Sequence, residues 1–302
     1  LVAFFAWIRE FFRPLGSLSE KAGSFQVAIA SIERVFNLLD YEEKIKNIQN
    51  PIIPSKLKGH IKFQNVWFAY DEDNWVIKNL SFEVKPGESL AIVGATGAGK
   101  STIINLIGRF YDIQKGNIEI DGINIKNFEK NDLRKRLGYV FQDPFIFSGT
   151  VFSNISLNNK DLTKSDIENA AKIVNAHPFI TKMKNGYATN LSERGEGLSL
   201  GQKQLLVMTR TLAQCPELLF VLDEATASVD TVSEKLIQNA LKKLMENKTS
   251  IVIAHRLSTI RNANRILVMR NGELIDQGSH NELVGRDGYY KNLCEIMEIN
   301  FN

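Results

Sequence analysis

The fold of this chain is decided by one stretch, Gly94-Ala95-Thr96-Gly97-Ala98-Gly99-Lys100-Ser101-Thr102. The apolar run 89–93 before it has the pattern of a strand, and apolar residues at helical spacing follow it. Between a strand and a helix, such a glycine-rich turn directs backbone N–H groups and the helix N-terminus toward a phosphate. Lys100 would add positive charge near the β- and γ-phosphates, and Ser101 would offer a hydroxyl to Mg²⁺. The stretch therefore predicts a site for a nucleoside triphosphate.

Two carboxylates, Asp223 and Glu224, follow the apolar run 219–222. Ligands of open α/β sheets bind beyond the carboxyl ends of the strands, so this pair is expected beside the phosphate loop. Asp223 would then orient the Mg²⁺ shell, and Glu224 would act as the general base toward the attacking water. An Asp-Glu pair after a strand is also common as a helix N-terminal cap. The phosphate loop is what favours the catalytic interpretation.

Composition limits the class of protein. The 302 residues are 44% hydrophobic and 24% charged, which is typical of one large domain or a domain with a helical extension. Against 34 acidic residues stand 37 Lys and Arg, without a long basic block, so no nucleic acid is expected as a partner. Cys215 and Cys294 lack metal-ligand spacing, which predicts neither a disulfide framework nor a zinc site and fits a reducing compartment.

An apolar run occupies residues 1–8 and is followed by Arg9 and Glu10. A bilayer-spanning helix needs about 20 apolar residues, and a signal peptide carries its basic residues before its apolar stretch. We therefore interpret residues 1–8 as the cytoplasmic end of a membrane helix, since cationic residues are expected on that side. An amphipathic helix that packs on a soluble domain would explain the same pattern.

Periodicity predicts two parts of the chain. Apolar residues from Phe25 to Leu39 recur at steps of three and four and predict a long helix, and two prolines in 50–55 then predict a linker. We expect a helical part at 1–50 and one domain at 51–302. In that domain, strand patterns that alternate with helical stretches favour a parallel α/β core, and the region 142–215 has the pattern of an inserted helical subdomain. The strand patterns lie at 61–70, 76–84, 89–93, 218–222 and 250–254.

The stretch Leu198-Ser199-Leu200-Gly201-Gln202 resembles the Leu-Ser-Gly-Gly-Gln signature of ABC ATPases. Taken singly, that match and its companions have ordinary structural explanations. Their order along the chain is that of the family: the phosphate loop, then Gln142, the signature, Asp223-Glu224, Ser228-Val229-Asp230 and Ala254-His255-Arg256. Tyr70, before the phosphate loop, matches the aromatic residue that stacks on adenine. The resemblance covers essentially the whole chain.

This resemblance implies an α/β fold: a phosphate-loop NTPase core of the ABC type, with a parallel sheet and an N-terminal antiparallel β-subdomain. An inserted α-helical subdomain interrupts the core, and the helical end of a transmembrane domain precedes it. The resemblance also implies catalytic roles for Glu224, His255 and Gln142, and Mg²⁺ ligands at Ser101, Gln142 and Asp223. By the same resemblance, ATP is bound by the following residues: Tyr70, Gly94, Ala95, Thr96, Gly97, Ala98, Gly99, Lys100, Ser101, Thr102, Gln142, Asp223, Ser199, Gly201, Gln202 and Asp230.

Two such domains, by resemblance, close head to tail, so that the signature of one caps the γ-phosphate held by the other. Residues 1–40 resemble the last membrane helix of fused exporters, and Glu193-Arg194-Gly195 resembles the exporter loop that contacts the membrane domain. The implied protein is a half-transporter that hydrolyses ATP to drive export across the cell membrane. Its ATPase domain would lie on the cytoplasmic side and pair with a second half-transporter. The alternative is a soluble ABC-type ATPase without a transport role.

The signature departs from the family pattern at Leu200, where a glycine is usual, and Leu205 stands where an arginine is frequent. In this respect the chain resembles one subunit of an asymmetric heterodimeric exporter, although variable residues at this position also occur in symmetric dimers.

Other phosphate-loop enzymes, such as GTPases and kinases, lack the Ser199 signature and the His255 switch. A module that binds ATP without hydrolysis is disfavoured by Glu224. The transported molecule is not predicted, because its contacts belong to membrane helices.

Overall fold

The computed structural model describes residues 1–40, 45–71, 74–141, 143–223, 231–254 and 257–299. The chain divides into two compact units, Leu1–Lys46 and Asn47–Asn302. Its strands, in chain order, are β1 (Ile61–Ala69), β2 (Trp75–Val84), β3 (Ser89–Val93), β4 (Lys115–Ile120), β5 (Ile123–Asn124), β6 (Leu137–Val140), β7 (Gly149–Thr150), β8 (Asn190–Leu191), β9 (Leu218–Asp223), β10 (Thr249–Ala254), β11 (Arg265–Arg270) and β12 (Glu273–Gly278). Its helices are α1 (Val2–Leu39), α2 (Lys100–Ile107), α3 (Lys130–Lys135), α4 (Val151–Ser156), α5 (Lys164–Ile173), α6 (His177–Thr181), α7 (Leu200–Ala213), α8 (Thr231–Met245), α9 (Leu257–Arg261), α10 (His280–Val284) and α11 (Tyr289–Ile299).

The first unit consists mainly of α1, which confirms the predicted helix ending at Leu39 and continues through Pro14. Many of its large apolar side chains are exposed, including Phe4, Trp7, Phe11 and Phe36. Among the helices in the described ranges, none reaches both the length and the apolar character required of a membrane span.

An antiparallel sheet begins the second unit, with strand order β2-β1-β4-β5. Alternate residues of β1 are buried, which is the pattern of a strand with one face on the core. The alternation shifts by one position near Asn65, where the backbone turns into the left-handed region and the pairing with β2 is irregular.

The central sheet has the order β12-β11-β3-β10-β9-β6, with parallel pairing from β11 to β6. Both faces are covered, as expected for a parallel sheet. In β3, Leu90 and Ile92 belong to a hydrophobic cluster shared with the antiparallel sheet and α2, whereas Ala91 and Val93 belong to a second cluster that includes α7. The side-chain period of two therefore divides the core between the two faces.

Helices α4 to α7 and the short pair β7–β8 lie between β6 and β9 in the chain. Buried residues of α4, α5, α6 and α7 join one hydrophobic cluster with residues of the central sheet. Helices α4 to α7 thus pack on one face of the core. The bounds 142–215 of an inserted helical subdomain stay a prediction.

The proline-containing segment before β1 is bound along the domain surface. Asn47 Nδ2 donates to Glu129 Oε1 at 2.9 Å, Ile52 N–H donates to the carbonyl of Asn127 at 2.7 Å, and Arg136 Nη2 donates to the carbonyl of Pro54 at 2.6 Å. These bonds hold the predicted linker in a defined path.

Candidate nucleotide site

The phosphate loop connects the end of β3 to the start of α2, as the sequence predicts. Gly99 is the N-cap of α2 and has φ of 93°, in the left-handed region that glycine adopts without strain. A Cβ atom at this position would lie 2.7 Å from Cδ1 of Ile77 and 3.1 Å from the carbonyl oxygen of Val76. Glycine is therefore required here both by the backbone conformation and by the space available.

Lys100 is the first residue of α2 and is only 6% exposed. Its ammonium donates to the carbonyl oxygens of Gly94 at 2.8 Å and Ala95 at 3.0 Å, so the charge lies within the curve of the loop. Buried apolar residues of α2, among them Ile103 and Ile104, anchor the helix in the core. A buried cation at a helix N-terminus fits a polyanionic ligand such as a triphosphate.

Tyr70 comes directly after β1 and is half exposed, whereas Thr102 is buried in the first turn of α2. Their hydroxyl oxygens lie 3.2 Å apart, within hydrogen-bond distance. The structure thus brings the residue predicted to stack on adenine next to a residue of the phosphate loop.

Asp223 is the last residue of β9, at the same edge of the central sheet where β3 leads into the phosphate loop. Strand β10 lies between them: its Ile253 is opposite Ile92 of β3 on one side and Leu222 of β9 on the other. With adjacent strands about 4.8 Å apart, the ends of β3 and β9 are roughly 10 Å apart. The predicted common edge for the phosphate loop and Asp223 is confirmed.

Four predicted site residues, Gln142, Glu224, Asp230 and His255, lie outside the described residues. The strands that precede two of them are described: β6 ends at Val140 and β10 ends at Ala254. Both strands run parallel to β9, and both end at the edge that carries Asp223.

The signature segment forms the start of α7. This helix begins at Leu200, because Ser199 is its N-cap. Ser199 Oγ accepts from Gln202 N–H at 3.2 Å, and Gln202 Oε1 accepts from Ser199 N–H at 3.0 Å, which is a capping box. Leu205, at the position where an arginine is frequent, is buried in the hydrophobic cluster that surrounds α7.

The donor set agrees with Mg²⁺ held largely by a nucleotide. Within the described ranges, no group of three His, Cys, Asp or Glu side chains could hold a metal ion by itself. Mg²⁺ usually takes one or two protein oxygen ligands and completes its shell with phosphates and water. The hydroxyl of Ser101 on α2 and the carboxylate type of Asp223, both from this sheet edge, match that preference.

Sequence reasoning missed two residues that contact this site. The ring of Tyr111 lies 4.9 Å from the ring of Tyr70. Gln114 exchanges two hydrogen bonds with the backbone of Ala69, the residue before Tyr70. An aromatic residue soon after the end of α2 was the only signal in the sequence, and it did not indicate its partner.

A groove of about 930 Å³ lies beside β6 and the C-terminal half of α7. The segment after β6 contributes the aromatic rings of Phe141, Phe145 and Phe147, each about half exposed. Arg210 of α7 lies over the ring of Phe147 at 5.4 Å. Phe141 and Asp143, the two neighbours of Gln142 in the sequence, both line this groove.

Comparison with known proteins decides the family. The sequence profile described as "ABC transporter" matches residues 77–227, which is half of the chain and includes the phosphate loop and the signature. The chain belongs to the ABC transporter family. The predicted family and the predicted ABC-type fold, including its antiparallel β-subdomain, are confirmed. As a member with this ATP-binding domain, the chain is an ATPase by family.

Relatives of this ABC transporter chain extend beyond the domain. The chain is 45% identical over 98% of its length to the uncharacterized ABC transporter ATP-binding protein YfiC of Bacillus subtilis (strain 168), covering 49% of that protein. It is 43% identical over 95% of its length to a fatty acid ABC transporter ATP-binding/permease protein of Mycobacterium bovis, covering 45% of it. The chain therefore spans about half the length of these curated relatives.

Among solved structures, the chain is similar to a bacterial Atm1-family ABC exporter with ATP bound. The TM-score is 0.80 at 37% identity, and the match covers 96% of this chain and 50% of the exporter chain. The likeness includes nearly all of this chain, α1 as well as the ATP-binding domain.

Proposed function

We propose that this chain is the ATP-hydrolysing part of an ABC exporter and works as one half of a head-to-tail dimer. The observation that carries the proposal is the shared edge of the central sheet, where the strand leading to Lys100 and the strand ending at Asp223 both stop. A phosphate cradle and an acidic strand end at one edge are what phosphoryl transfer from Mg²⁺-ATP requires.

In the proposed reaction, Lys100 and the N-terminus of α2 bind the β- and γ-phosphates. Bound Mg²⁺ would be held by Ser101, Asp223 and Gln142 and would neutralise charge on the phosphate oxygens. Glu224 accepts a proton from the attacking water, whose oxygen bonds to the γ-phosphorus while the bond to the β–γ bridging oxygen breaks. His255 holds the γ-phosphate and orients Glu224. The products are ADP and inorganic phosphate.

The second subunit supplies the other side of the proposed site. Ser199 is exposed, and its hydroxyl accepts the capping bond of α7, so the hydroxyl proton is available to a γ-phosphate oxygen. Near the same helix N-terminus the macrodipole also favours an anion. ATP bound between the two subunits would join them through Ser199, Gly201 and Gln202 of one and the phosphate loop of the other, with Asp230 at the dimer contact.

Two features support a membrane partner over a soluble ATPase without a transport role. First, many large apolar side chains along α1 are exposed, which is unusual for the surface of a soluble protein. Second, the groove with Phe145 and Phe147 offers an apolar site for a segment of the membrane domain. The names of several relatives include permease or export functions. Fractionation of the full-length polypeptide tests this choice, because an exporter stays in the membrane fraction and a soluble ATPase does not.

Leu200 bears on whether the dimer is symmetric. It is the first residue of α7, next to Ser199, and is partly exposed. A leucine side chain at this position would crowd a partner's nucleotide where a glycine would not. We propose that the chain pairs with a different half-transporter, and robust ATP hydrolysis by a full-length homodimer would contradict this pairing.

The proposed catalytic roles are tested by phosphate release and ATP binding in purified protein. Glu224→Gln removes the base and should lower turnover by about 100-fold or more, while ATP binding is kept because the phosphate loop is intact. Lys100→Ala should lose ATP binding itself. Undiminished hydrolysis by Glu224→Gln would overturn the assignment of the base.

A further inference from the structure

The ring of Tyr70 is held by two other aromatic rings. Phe68 lies 4.8 Å away and Tyr111 lies 4.9 Å away, each nearly perpendicular to Tyr70 at 86°. The rings of Phe68 and Tyr111 are themselves 5.7 Å apart, so the three form one cluster. Phe68 is fully buried, whereas Tyr70 and Tyr111 are each about half exposed. Perpendicular aromatic contacts at these distances are favourable and orient the rings they join.

The segment that carries Tyr111 is itself anchored to the domain. Arg134 of α3 donates to the carbonyl of Gly108 at 3.1 Å and to the carbonyl of Arg109 at 2.7 Å. The same guanidinium lies 4.7 Å from the ring centroid of Phe110. Arg109 is buried and donates to the carbonyl of Phe128 at 3.2 Å. Tyr111 is therefore presented from a fixed turn and not from a free loop.

A second link joins the same segment to the backbone beside Tyr70. Gln114 Nε2 donates to the carbonyl of Ala69 at 2.8 Å, and Ala69 N–H donates to Gln114 Oε1 at 3.2 Å. The backbone N–H of Gln114 also donates to the carbonyl of Trp67 at 3.3 Å. The residue immediately before Tyr70 is thus bound on both its donor and its acceptor by one side chain.

These contacts constrain Tyr70 at the ring, at the preceding backbone and at the hydroxyl, which reaches Thr102. We propose that Tyr111, together with Gln114, is a positioning site that orients Tyr70 for stacking on the nucleobase of ATP. The inference rests on the proposed ATP site. It adds a structural reason why the nucleobase would contribute to the affinity for ATP. Because Tyr111 acts through Tyr70, its loss should affect ligands that carry a base and spare ligands that carry only phosphates.

The test compares the binding of ATP and of inorganic tripolyphosphate, each with Mg²⁺, to the full 302-residue chain by titration calorimetry. Tyr111→Leu removes the ring and should weaken ATP binding by about 3- to 10-fold, the range expected for one aromatic pair, without changing tripolyphosphate binding. Tyr111→Phe keeps the ring and should retain the wild-type ratio of the two affinities. Gln114→Glu replaces the donor to Ala69 by an acceptor and should shift the ratio in the same direction as Tyr111→Leu.

The outcomes separate this proposal from the proposed function. Lys100→Ala should weaken both ligands, which identifies the phosphate site, and a wild-type chain that binds neither ligand would defeat the proposed function and this inference together. A wild-type ratio of affinities in both Tyr111→Leu and Gln114→Glu would overturn the positioning site while leaving the ATP site intact. Equal weakening of ATP and tripolyphosphate in these variants would overturn it as well. If Tyr111→Leu fails to fold, Gln114→Glu alone decides between these outcomes.

Discussion

At the scale of single residues, the domain depends on side chains that bind distant backbone. Asp121 follows β4 and accepts hydrogen bonds from the backbone N–H groups of Lys58 at 2.6 Å, Gly59 at 3.3 Å and His60 at 2.8 Å. One carboxylate thus fixes the entry of the chain into β1. A charged acceptor makes such bonds stronger than those between neutral groups.

Two glycines near Asp121 both have a left-handed backbone, but a side chain would meet a steric clash at only one of them. Gly116 has φ of 91°, and a Cβ there would lie 2.3 Å from the carbonyl oxygen of Asn65 and 2.5 Å from that of Gln64. Gly122 has φ of 77°, and nothing lies within 4 Å of its added Cβ. Gly122→Ala therefore adds only the cost of the left-handed backbone, about 1–2 kcal/mol.

Gly116→Ala should cost more than Gly122→Ala, because β1 and β4 must separate to admit the methyl group. We expect an additional loss of about 1–3 kcal/mol in the free energy of unfolding, the range for overpacking. Urea denaturation of the two variants measures the difference. Equal midpoints for the two variants would show that β1 and β4 can separate enough for the methyl group without loss of stability.

At the scale of elements, several helices begin with the same device. α5, α7 and α10 each have a capping box, in which the N-cap hydroxyl and the third helical residue bond to each other's backbone N–H. In α5 the Thr163 hydroxyl and N–H lower the pKa of Asp166, and in α10 the Ser279 backbone and side chain lower the pKa of Glu282. The boxes of α5 and α10 therefore depend on ionised carboxylates.

The double variant Asp166→Asn, Glu282→Gln tests the pH dependence of these helix starts. A carboxylate whose pKa is lower in the folded chain contributes stability above its ordinary pKa of 3.8 for Asp166 or 4.5 for Glu282, and this contribution is lost as pH falls through the folded value. The amides keep an acceptor and do not titrate. The urea midpoint of the wild type should fall more between about pH 6 and about pH 3 than that of the variant. Parallel curves would contradict the role of the two carboxylates.

A buried polar contact joins α4, α7 and the segment after β6. Arg210 donates to the carbonyl of Asn154 at 2.7 Å, to its side-chain oxygen at 3.2 Å, and to the carbonyl of Phe145 at 3.0 Å. Asn154 is 1% exposed and also accepts from Phe147 N–H at 2.9 Å. Burial lowers the pKa of Arg210 to about 10, so it stays charged at neutral pH.

Arg210→Gln should destabilise the helical region because buried carbonyl groups lose their donor. We expect a loss of about 2–3 kcal/mol in the free energy of unfolding, with faster hydrogen exchange at the amide of Phe147. The matched control is Arg286→Gln, which removes a surface ion pair to Asp276 at 3.5 Å and should cost less than about 1 kcal/mol. Equal effects of the two substitutions on the urea midpoint would contradict the role of Arg210.

At the scale of the whole molecule, the folded core belongs to one of the two compact units. Both hydrophobic clusters consist of residues from Leu57 onward, within the unit Asn47–Asn302. The segment from Asn47 to Pro54 is hydrogen-bonded to Lys130 of α3 and to residues on either side of that helix. The second unit therefore contains both hydrophobic clusters found among the described residues.

A chain shortened to Asn47–Asn302 should fold cooperatively with the same urea midpoint as the full chain. The reason is that, as far as the structure describes residues 1–46, none of them is a member of either buried cluster. Circular dichroism during urea denaturation measures the midpoint, and loss of the ellipticity of α1 is the expected difference before unfolding. A clearly lower midpoint for the shortened chain would show that residues before Asn47 stabilise the domain.

The local patterns were enough to predict several elements before their neighbours were known. The strand before the phosphate loop and the apolar spacing of α2 lie within one short window, and the structure confirms both. The helix ending at Leu39 and the strands β1, β2, β9 and β10 were visible for the same reason. The roles of Gln142, Glu224, Asp230 and His255 stay predictions, because these residues lie outside the described ranges.

What the sequence determined by itself is the phosphate loop, the order of the motifs around it and hence the family, because glycine conformation and hydrophobic period act over a few residues. The contact of Tyr111 with the ring of Tyr70, the bonds of Gln114 to the backbone of Ala69 and the bond of Arg210 to Asn154, 56 positions away, became known only from the folded chain. Such pairs form where separate elements pack together. Their partners are chosen by the arrangement of the whole core, which no short window of sequence contains.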